Sequence, residues 1–194
     1  MAEQRRILAA LDGLCNAINN QTRVGDNPDQ YLYLYEKSMY LAAGVGFKSD
    51  TTTTAIAKLG RLWDENPQVF KCTSTNFSVP NGAILKYALE TRSFGFIEDA
   101  MGPWHLDLNH IDPADCRTLL DFAEWKLGQN RGTHLEPVLT GYVERFKQAG
   151  AKHSSEVSSA ERQAQFEQWH RNAARLRAVG AVAYDWPSRC PVNH

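Results

Sequence analysis

The sequence lacks any long apolar run. No stretch approaches the roughly 18 consecutive apolar residues that a membrane-spanning helix needs. Near the N-terminus, Leu11, Leu14 and Ile18 are separated by polar residues such as Asp12 and Asn16. We therefore expect neither a signal peptide nor a membrane anchor, and the compartment predicted from this absence is the cytoplasm.

Cysteine is scarce, and its positions form no metal-binding or redox motif. Cys15, Cys72, Cys116 and Cys190 lie far apart and include no CxxC sequence and no Cys/His pair. In a reducing cytosol, cysteines with this spacing remain thiols. We expect four buried or unreactive thiols.

Neither sign of charge is in excess. The 21 lysines and arginines and the 22 aspartates and glutamates give a formal net charge of -1, whereas proteins that bind nucleic acid present a basic stripe. The cluster of Arg171, Arg175 and Arg177 is accompanied by Glu161 and Glu167, which favours a solvated helix face. A nucleic-acid regulator that uses these arginines is the third and weakest functional hypothesis, and it would bind DNA with a steep salt dependence.

Compact catalytic signatures are also missing: the sequence contains no GxSxG, HExxH, phosphate loop or dinucleotide-binding glycine triplet. Two histidines and two aspartates, His105, Asp107, His110 and Asp112, are close enough in sequence to suggest a metal site. The two histidines are five residues apart, however, and this spacing aligns side chains on neither a helix nor a strand. We therefore predict no catalytic residue, no metal and no cofactor. A small metal-dependent hydrolase that uses His105 and His110 is the alternative.

Apolar periodicity predicts a helical chain. Residues 3–19 form an amphipathic pattern, and a second helix is expected from about residue 28 to 44. The threonines at 51–54 mark the start of a third helix that ends before Pro67. Residues 72–80 are interpreted as a loop, and a charged helix is predicted from about 158 to 179. The second helix carries four tyrosines, for which core packing is favoured over an aromatic contact surface: Tyr31, Tyr33, Tyr35 and Tyr40.

One sequence pattern occurs twice. Residues 118–123 read Thr-Leu-Leu-Asp-Phe-Ala, and residues 83–88, Ala-Ile-Leu-Lys-Tyr-Ala, fit the same frame more loosely. Their final alanines are 35 residues apart (88 to 123), and Asn76 and Asn109 are 33 apart. Gly150 and Ala151 follow a helical pattern of apolar residues that includes Leu139, Val143 and Phe146, and glycine at this place supplies a left-handed C-cap. The pattern resembles the ankyrin repeat, whose signature is Thr-Pro-Leu-His-x-Ala and whose period is about 33 residues.

This resemblance covers residues 76–152 and implies an all-α fold: a short helical-repeat stack of ankyrin-like helix-turn-helix units with N- and C-terminal capping helices. The chain would be a single domain, 1–194, with a helical N-terminal part over 1–75 that includes a degenerate unit. Two ankyrin-like units occupy 76–152, and a C-terminal helix and an irregular tail occupy 153–194. Because each unit buries its core only against its neighbours, two units need further elements to cover their ends. The competing interpretation is an unrelated helical bundle.

Ankyrin repeats carry no inherent chemistry and bind proteins through finger loops and the concave face of their first helices. The resemblance therefore implies a protein–protein interaction module without enzymatic activity: an inhibitor, an immunity-type protein or an adaptor. The predicted surface combines acidic and aromatic side chains, which suits another protein with a basic or mixed apolar patch. The partner-binding residues that it predicts are Tyr87, Glu90, Thr91, Asp107, His110, Asp112, Asp115, Asp121, Trp125 and Lys126.

Overall fold

The described part of the chain is mainly helical, as the periodicity predicts. The structure is a computed structural model, and it describes Arg5, Cys15, Lys37 and residues 39–68, 70–72, 77–180, 183 and 185–190. Nearly all of the predicted first helix lies outside these residues, as does the part of the second helix that carries Tyr31, Tyr33 and Tyr35. Residues 39–42 of that second helix are helical.

Helices and one short hairpin follow each other along the described chain. β1 and β2 are antiparallel, with Lys71 opposite Ala83 and Cys72 opposite Gly82. The predicted loop at 72–80 is therefore wrong at Cys72, whose backbone belongs to a strand. In order, the elements are α1 (Thr52–Glu65), β1 (Lys71–Cys72), β2 (Gly82–Ala83), α2 (Ile84–Glu90), α3 (Phe94–Met101), α4 (Leu119–Gln129), α5 (Glu136–Gln148), a 3-10 turn (Ser154–Glu156) and α6 (Ser159–Ala178).

Helix α1 begins in the threonine run and ends before Pro67, as predicted. The Thr51 side-chain oxygen accepts a hydrogen bond from the Thr54 N–H at 3.2 Å, so the first turn has its N-cap. Trp63 is buried on the inner face of α1 and stacks on Phe70, with ring centroids 4.7 Å apart. This stacking packs α1 against the segment that leads into β1.

Two helix pairs form the centre of the molecule. Helix α2 packs against α3, α4 packs against α5, and the two first helices, α2 and α4, also contact each other. Large aromatic side chains fill the core, including Phe96 of α3, Phe122 of α4 and Phe146 of α5, all of which are fully buried. Tyr40, from the predicted second helix, is partly buried against this core, and its hydroxyl accepts a hydrogen bond from Trp104 Nε1 at 3.2 Å.

Helix α4 begins with a capping box at Thr118. The Thr118 hydroxyl oxygen accepts from the Asp121 N–H at 3.3 Å, and the Asp121 carboxylate accepts from the Thr118 N–H at 3.2 Å. The same hydroxyl donates to the Lys152 carbonyl at 2.8 Å, so the start of α4 is bonded to the turn that follows α5. Local helix initiation and the stacking of successive segments therefore depend on one side chain.

Asn109 makes a second link to that turn. Its side-chain oxygen accepts from the Lys152 N–H at 2.7 Å, and its side-chain nitrogen lies 3.4 Å from the Gly150 carbonyl oxygen. Gly150 has a positive φ of 86°, which agrees with the left-handed conformation predicted for this glycine. The two asparagine contacts place the loops before α4 and after α5 side by side.

All four cysteines are paired, which overturns the expectation of free thiols. Cys15 is bonded to Cys72 and Cys116 to Cys190, with Cα–Cα distances of 5.7 and 5.2 Å. The partners are 57 and 74 residues apart in sequence, and sequence spacing does not determine such connectivity. Disulfides persist mainly in oxidising compartments, so cysteine content no longer supports a cytoplasmic location. Among the described residues, no helix combines the length and the apolar character needed to cross a membrane.

We expect Thr118→Ala to lower the free energy of unfolding by about 2–3 kcal/mol. The substitution removes the N-cap and leaves the Lys152 carbonyl without its donor. Urea unfolding followed by far-UV circular dichroism measures the change. Thr118→Ser keeps the hydroxyl and should cost less than about 1 kcal/mol, the loss of one buried methyl group. Equal losses in the two variants would show that the hydroxyl does not stabilise the fold.

Candidate binding face and buried ion network

The loop before α4 forms a tight hairpin over residues 112–117, which we call the finger hairpin. The Asp112 N–H donates to the Arg117 carbonyl at 3.0 Å, and the Cys116 N–H donates to the Asp112 carbonyl at 2.7 Å. Cys116 has a positive φ of 62°, a conformation that closes the turn. The hairpin directs its two carboxylates toward β1 and α2, while Arg117 extends toward α4.

Both carboxylates enter a buried ion network. Lys71 Nζ lies 2.5 Å from Asp112 Oδ1, and the Ala83 N–H donates to Asp112 Oδ2 at 2.6 Å. Lys86 Nζ lies 2.6 Å from Asp115 Oδ1 and 3.4 Å from Asp112 Oδ2. The side chains of Lys86 and Asp112 are each 2% exposed. The prediction that Asp112 is displayed to a partner is therefore wrong, because its buried carboxylate forms ion pairs with Lys71 and Lys86.

Asp112 is held in its charged form. Burial by itself raises the pKa of this carboxyl, but Lys71 and Lys86 lower it further than burial raises it. The net effect places the pKa of Asp112 below its ordinary value. Asp112 is consequently ionised throughout the physiological range and compensates the charge of the lysines beside it.

Tyr87 is also a core residue and not part of a surface. Only 2% of it is exposed, and its ring packs edge-on against Phe77 with centroids 5.2 Å apart. The prediction that Tyr87 contacts a partner is wrong, because α2 is buried on nearly every side. Thr91 ends α2, and its hydroxyl donates to the Tyr87 carbonyl at 2.8 Å.

Four predicted or neighbouring residues do form a partly exposed face, which we call the Trp125 face: Glu90, Arg117, Trp125 and Lys126. The Arg117 guanidinium lies 4.6 Å from the Trp125 ring centroid, and Lys126 Nζ lies 5.5 Å from it. Underneath, the Trp125 ring packs on Phe122 at 5.6 Å. The indole is thus fixed from below and flanked by two cations, while part of it stays accessible.

The rim of this face is charge-balanced. Lys126 Nζ lies 3.3 Å from Glu90 Oε1, and both side chains are 16% exposed. Glu90 also accepts a hydrogen bond from the Ser78 hydroxyl at 2.5 Å. On the other side, Arg117 Nη1 lies 3.8 Å from Asp115 Oδ2. Each cation on the face therefore has a carboxylate close to it. The Trp125 ring is the part of the face that is left to contact a partner.

Asp121 stabilises the helix start and a neighbouring turn. His153 Nδ1 lies 2.9 Å from Asp121 Oδ1, and the Ser154 N–H donates to Asp121 Oδ2 at 2.9 Å. Burial raises the pKa of Asp121, whereas hydrogen bonds from Ser154, His153 and Thr118 lower it to a net value below normal. Because its oxygens already have these partners, Asp121 has little capacity to bind another protein.

The histidines considered for a metal site lie apart from this face. His105 is exposed and has a positive φ of 48°, while His110 Nε2 lies 3.6 Å from Asp107 Oδ2. Within the described ranges, no three histidine, cysteine, aspartate or glutamate side chains are grouped so that they could hold a metal ion. His110 and Asp107 remain near each other but form only a two-residue contact.

Sequence reasoning missed Lys71, Lys86 and Arg117. A signal for Lys86 was present, because it is the only charged residue between Ile84 and Leu89. A lysine inside such an apolar segment requires a buried counter-charge. The sequence alone does not specify which carboxylate supplies it.

No protein-family model, curated protein or solved structure matches the chain. The ankyrin resemblance therefore rests on the residues of this sequence. The function has to be argued from the site itself.

We expect Asp112→Asn to lower the free energy of unfolding by about 3–5 kcal/mol at pH 7, because it leaves Lys71 without its buried counter-ion. The folded-state pKa of Asp112 is depressed, so its stabilisation is fully present above the unfolded-state pKa of about 4. Below that pH the stabilisation declines as the carboxylate becomes protonated. The difference in the free energy of unfolding between wild type and Asp112→Asn should therefore become smaller. Urea unfolding at pH 7, 5 and 3 measures this difference.

The exposed pair of Glu98 and Arg145 provides the matched control. Glu98→Gln removes a carboxylate whose side chain is 46% exposed, and surface pairs contribute about 1 kcal/mol or less. A difference between wild type and Asp112→Asn that stays constant from pH 7 to pH 3 would contradict the ionic role of Asp112.

Proposed function

We propose that the chain is a protein-binding module built of ankyrin-like units and that it binds one partner through the Trp125 face. An inhibitor, an immunity-type protein and an adaptor are the forms that fit such a module. The observation that carries the proposal is the partly exposed Trp125 indole, fixed on Phe122 and flanked by Arg117 and Lys126. Partly exposed, immobilised tryptophans are the residues that most often dominate binding energy at interfaces.

Repetition of local structure supports the ankyrin-like part of the proposal. The β1–β2 hairpin precedes the α2–α3 pair, and the finger hairpin precedes the α4–α5 pair. Asp112 links the two hairpins, since it contacts both Lys71 and the Ala83 N–H. The first helices of the pairs adjoin each other, which gives the face its two walls.

The balanced rim favours one form of the expected partner. Of the five acidic residues predicted for the fingers and the first helices, Asp112 and Asp115 pair with lysines inside the protein, Asp121 is bonded to His153 and Ser154, and Glu90 pairs with Lys126. Little uncompensated negative charge is then left to attract a basic partner. We propose a partner with a mixed apolar patch that covers the indole and offers hydrogen-bonding groups to Glu90 and Lys126.

Neither alternative function gains support from a specific contact. The hydrolase hypothesis needs His105 and His110 to converge on one metal ion, but the described residues include no group of three metal-ligating side chains around them. The nucleic-acid hypothesis needs unpaired arginines, but Arg177 pairs with Asp185 at 2.5 Å. The binding hypothesis is the one for which the structure supplies an ordered, accessible surface.

We expect Trp125→Ala to weaken partner binding about 30-fold or more, the effect of losing a central aromatic contact. The partner is first captured on immobilised wild-type protein and identified by mass spectrometry. Its affinity for purified wild-type and variant proteins is then measured by calorimetry. Circular dichroism establishes that the variant remains folded.

Phe47→Ala serves as the control, because Phe47 is 58% exposed and lies outside the Trp125 face. This variant should bind with the wild-type affinity. Equal affinity of Trp125→Ala and wild type would overturn the proposed face. Failure of the wild-type protein to bind any partner, together with metal-dependent activity that His110→Ala abolishes, would favour the hydrolase.

A further inference from the structure

Residues 185–190 form a compact strap against α6. Trp186 packs edge-on against Phe166 and Trp169, with ring centroids 6.0 and 5.9 Å apart. Its indole N–H donates to the Cys190 carbonyl at 2.8 Å, and the Cys190 N–H donates to the Pro187 carbonyl at 3.0 Å. These bonds fold the strap into a closed turn.

The same strap is attached to the finger hairpin. Arg189 Nη2 donates to the Ala114 carbonyl at 2.6 Å, and Cys190 forms the disulfide with Cys116. Between the strap and the hairpins lies a cleft of about 210 Å³, whose lining includes Lys71, Asn81 and Trp169. The strap therefore closes one side of this cleft by bridging α6 and the finger hairpin.

The polar side chains of the strap are at the surface, whereas Trp186 packs against the buried Trp169. Asp185, Ser188 and Arg189 are exposed and Trp186 is partly exposed, whereas Cys190 is 2% exposed. Exposed ion pairs and hydrogen bonds contribute little to stability. Besides the packing of Trp186 on α6, the disulfide is the covalent constraint on the strap, because it fixes Cys190 to a hairpin that the buried ion network already holds.

We propose that the strap is a redox-released latch: reduction of the Cys116–Cys190 bond frees residues 185–190 and opens the cleft over Lys71 and Trp169. The latch is independent of the proposed binding function. It is selective, because Cys72 belongs to the hydrophobic core and Cys15 packs against that core, whereas the Cys116–Cys190 bond joins two loops outside it. Thiol attack requires access to sulfur, so the strap disulfide is reduced first.

The reductant is a dithiol. One of its thiolates attacks the Cys116 sulfur, a mixed disulfide forms, and Cys190 leaves as a thiolate that takes up a proton. The second thiol of the reductant then displaces the Cys116 sulfur, which is also protonated. The reductant becomes a disulfide, and the protein gains two electrons and two protons.

Hydrogen–deuterium exchange with mass spectrometry tests the local character of the latch. We expect the double variant Cys116→Ser/Cys190→Ser to exchange amides of residues 185–190 at least about tenfold faster than wild type, while α2–α5 remain protected. The matched control, Cys15→Ser/Cys72→Ser, should keep the strap protected. Unchanged exchange in the strap, or lost protection throughout α2–α5 in the first variant, would overturn the latch.

Wild-type protein tests the redox step directly. It is incubated with dithiothreitol under native conditions, quenched by alkylation at intervals and digested for mass spectrometry. We expect Cys116 and Cys190 to be alkylated before Cys15 and Cys72, with restoration of the bond when the reductant is removed and an oxidant is added. Simultaneous reduction of both disulfides, in step with global unfolding, would show that no selective latch exists.

Discussion

The carboxylate of Asp112 connects four parts of the fold. Its oxygens contact Lys71 in β1, the Ala83 N–H in β2 and Lys86 in α2, and its own backbone closes the finger hairpin. An isolated charge could not be buried at this depth, since desolvation would cost several kcal/mol. Each lysine is therefore tolerated only because the hairpin delivers its carboxylates to the correct place. The hairpin in turn has one orientation that satisfies both lysines.

That orientation determines the surface chemistry. With Asp112 and Asp115 paired with lysines, the Arg117 guanidinium lies between Asp115 Oδ2 and the Trp125 ring, 3.8 Å from the oxygen and 4.6 Å from the ring centroid. Cys116, which lies between Asp115 and Arg117 in the sequence, is bonded to Cys190 of the strap. A buried electrostatic requirement thus sets the geometry of an exposed aromatic contact and of a covalent link, although neither touches Asp112.

Local signals in the sequence were sufficient for much of the fold and little of the site. Thr51, Thr118 and Ser158 are N-caps, and α1, α4 and α6 begin at them because capping depends on residues within one turn. The ankyrin resemblance predicted Trp125 and Lys126 on the concave helix face, and both side chains are partly exposed. The contact of Asp112 with Lys71 and the pairing of Cys15 with Cys72 join residues 41 and 57 apart, for which one sequence holds no distance information. The prediction for Tyr87 was wrong for a related reason. The ankyrin resemblance placed Tyr87 on an exposed concave face, but neighbouring segments bury the short helix α2 on nearly every side.

The finger hairpin is constrained differently on its two sides. Toward β1 and α2, the Asp112 carboxylate is buried and its pKa is depressed, so this ion pair stays charged under physiological conditions. Toward α6, the strap is held by the packing of Trp186, by exposed polar contacts and by a disulfide, and the state of the disulfide depends on the redox environment. Changes in that environment would act on the strap and leave the hairpin itself in place. The Trp125 face, which depends on the buried side through Arg117, would then keep its geometry whether the strap is closed or open.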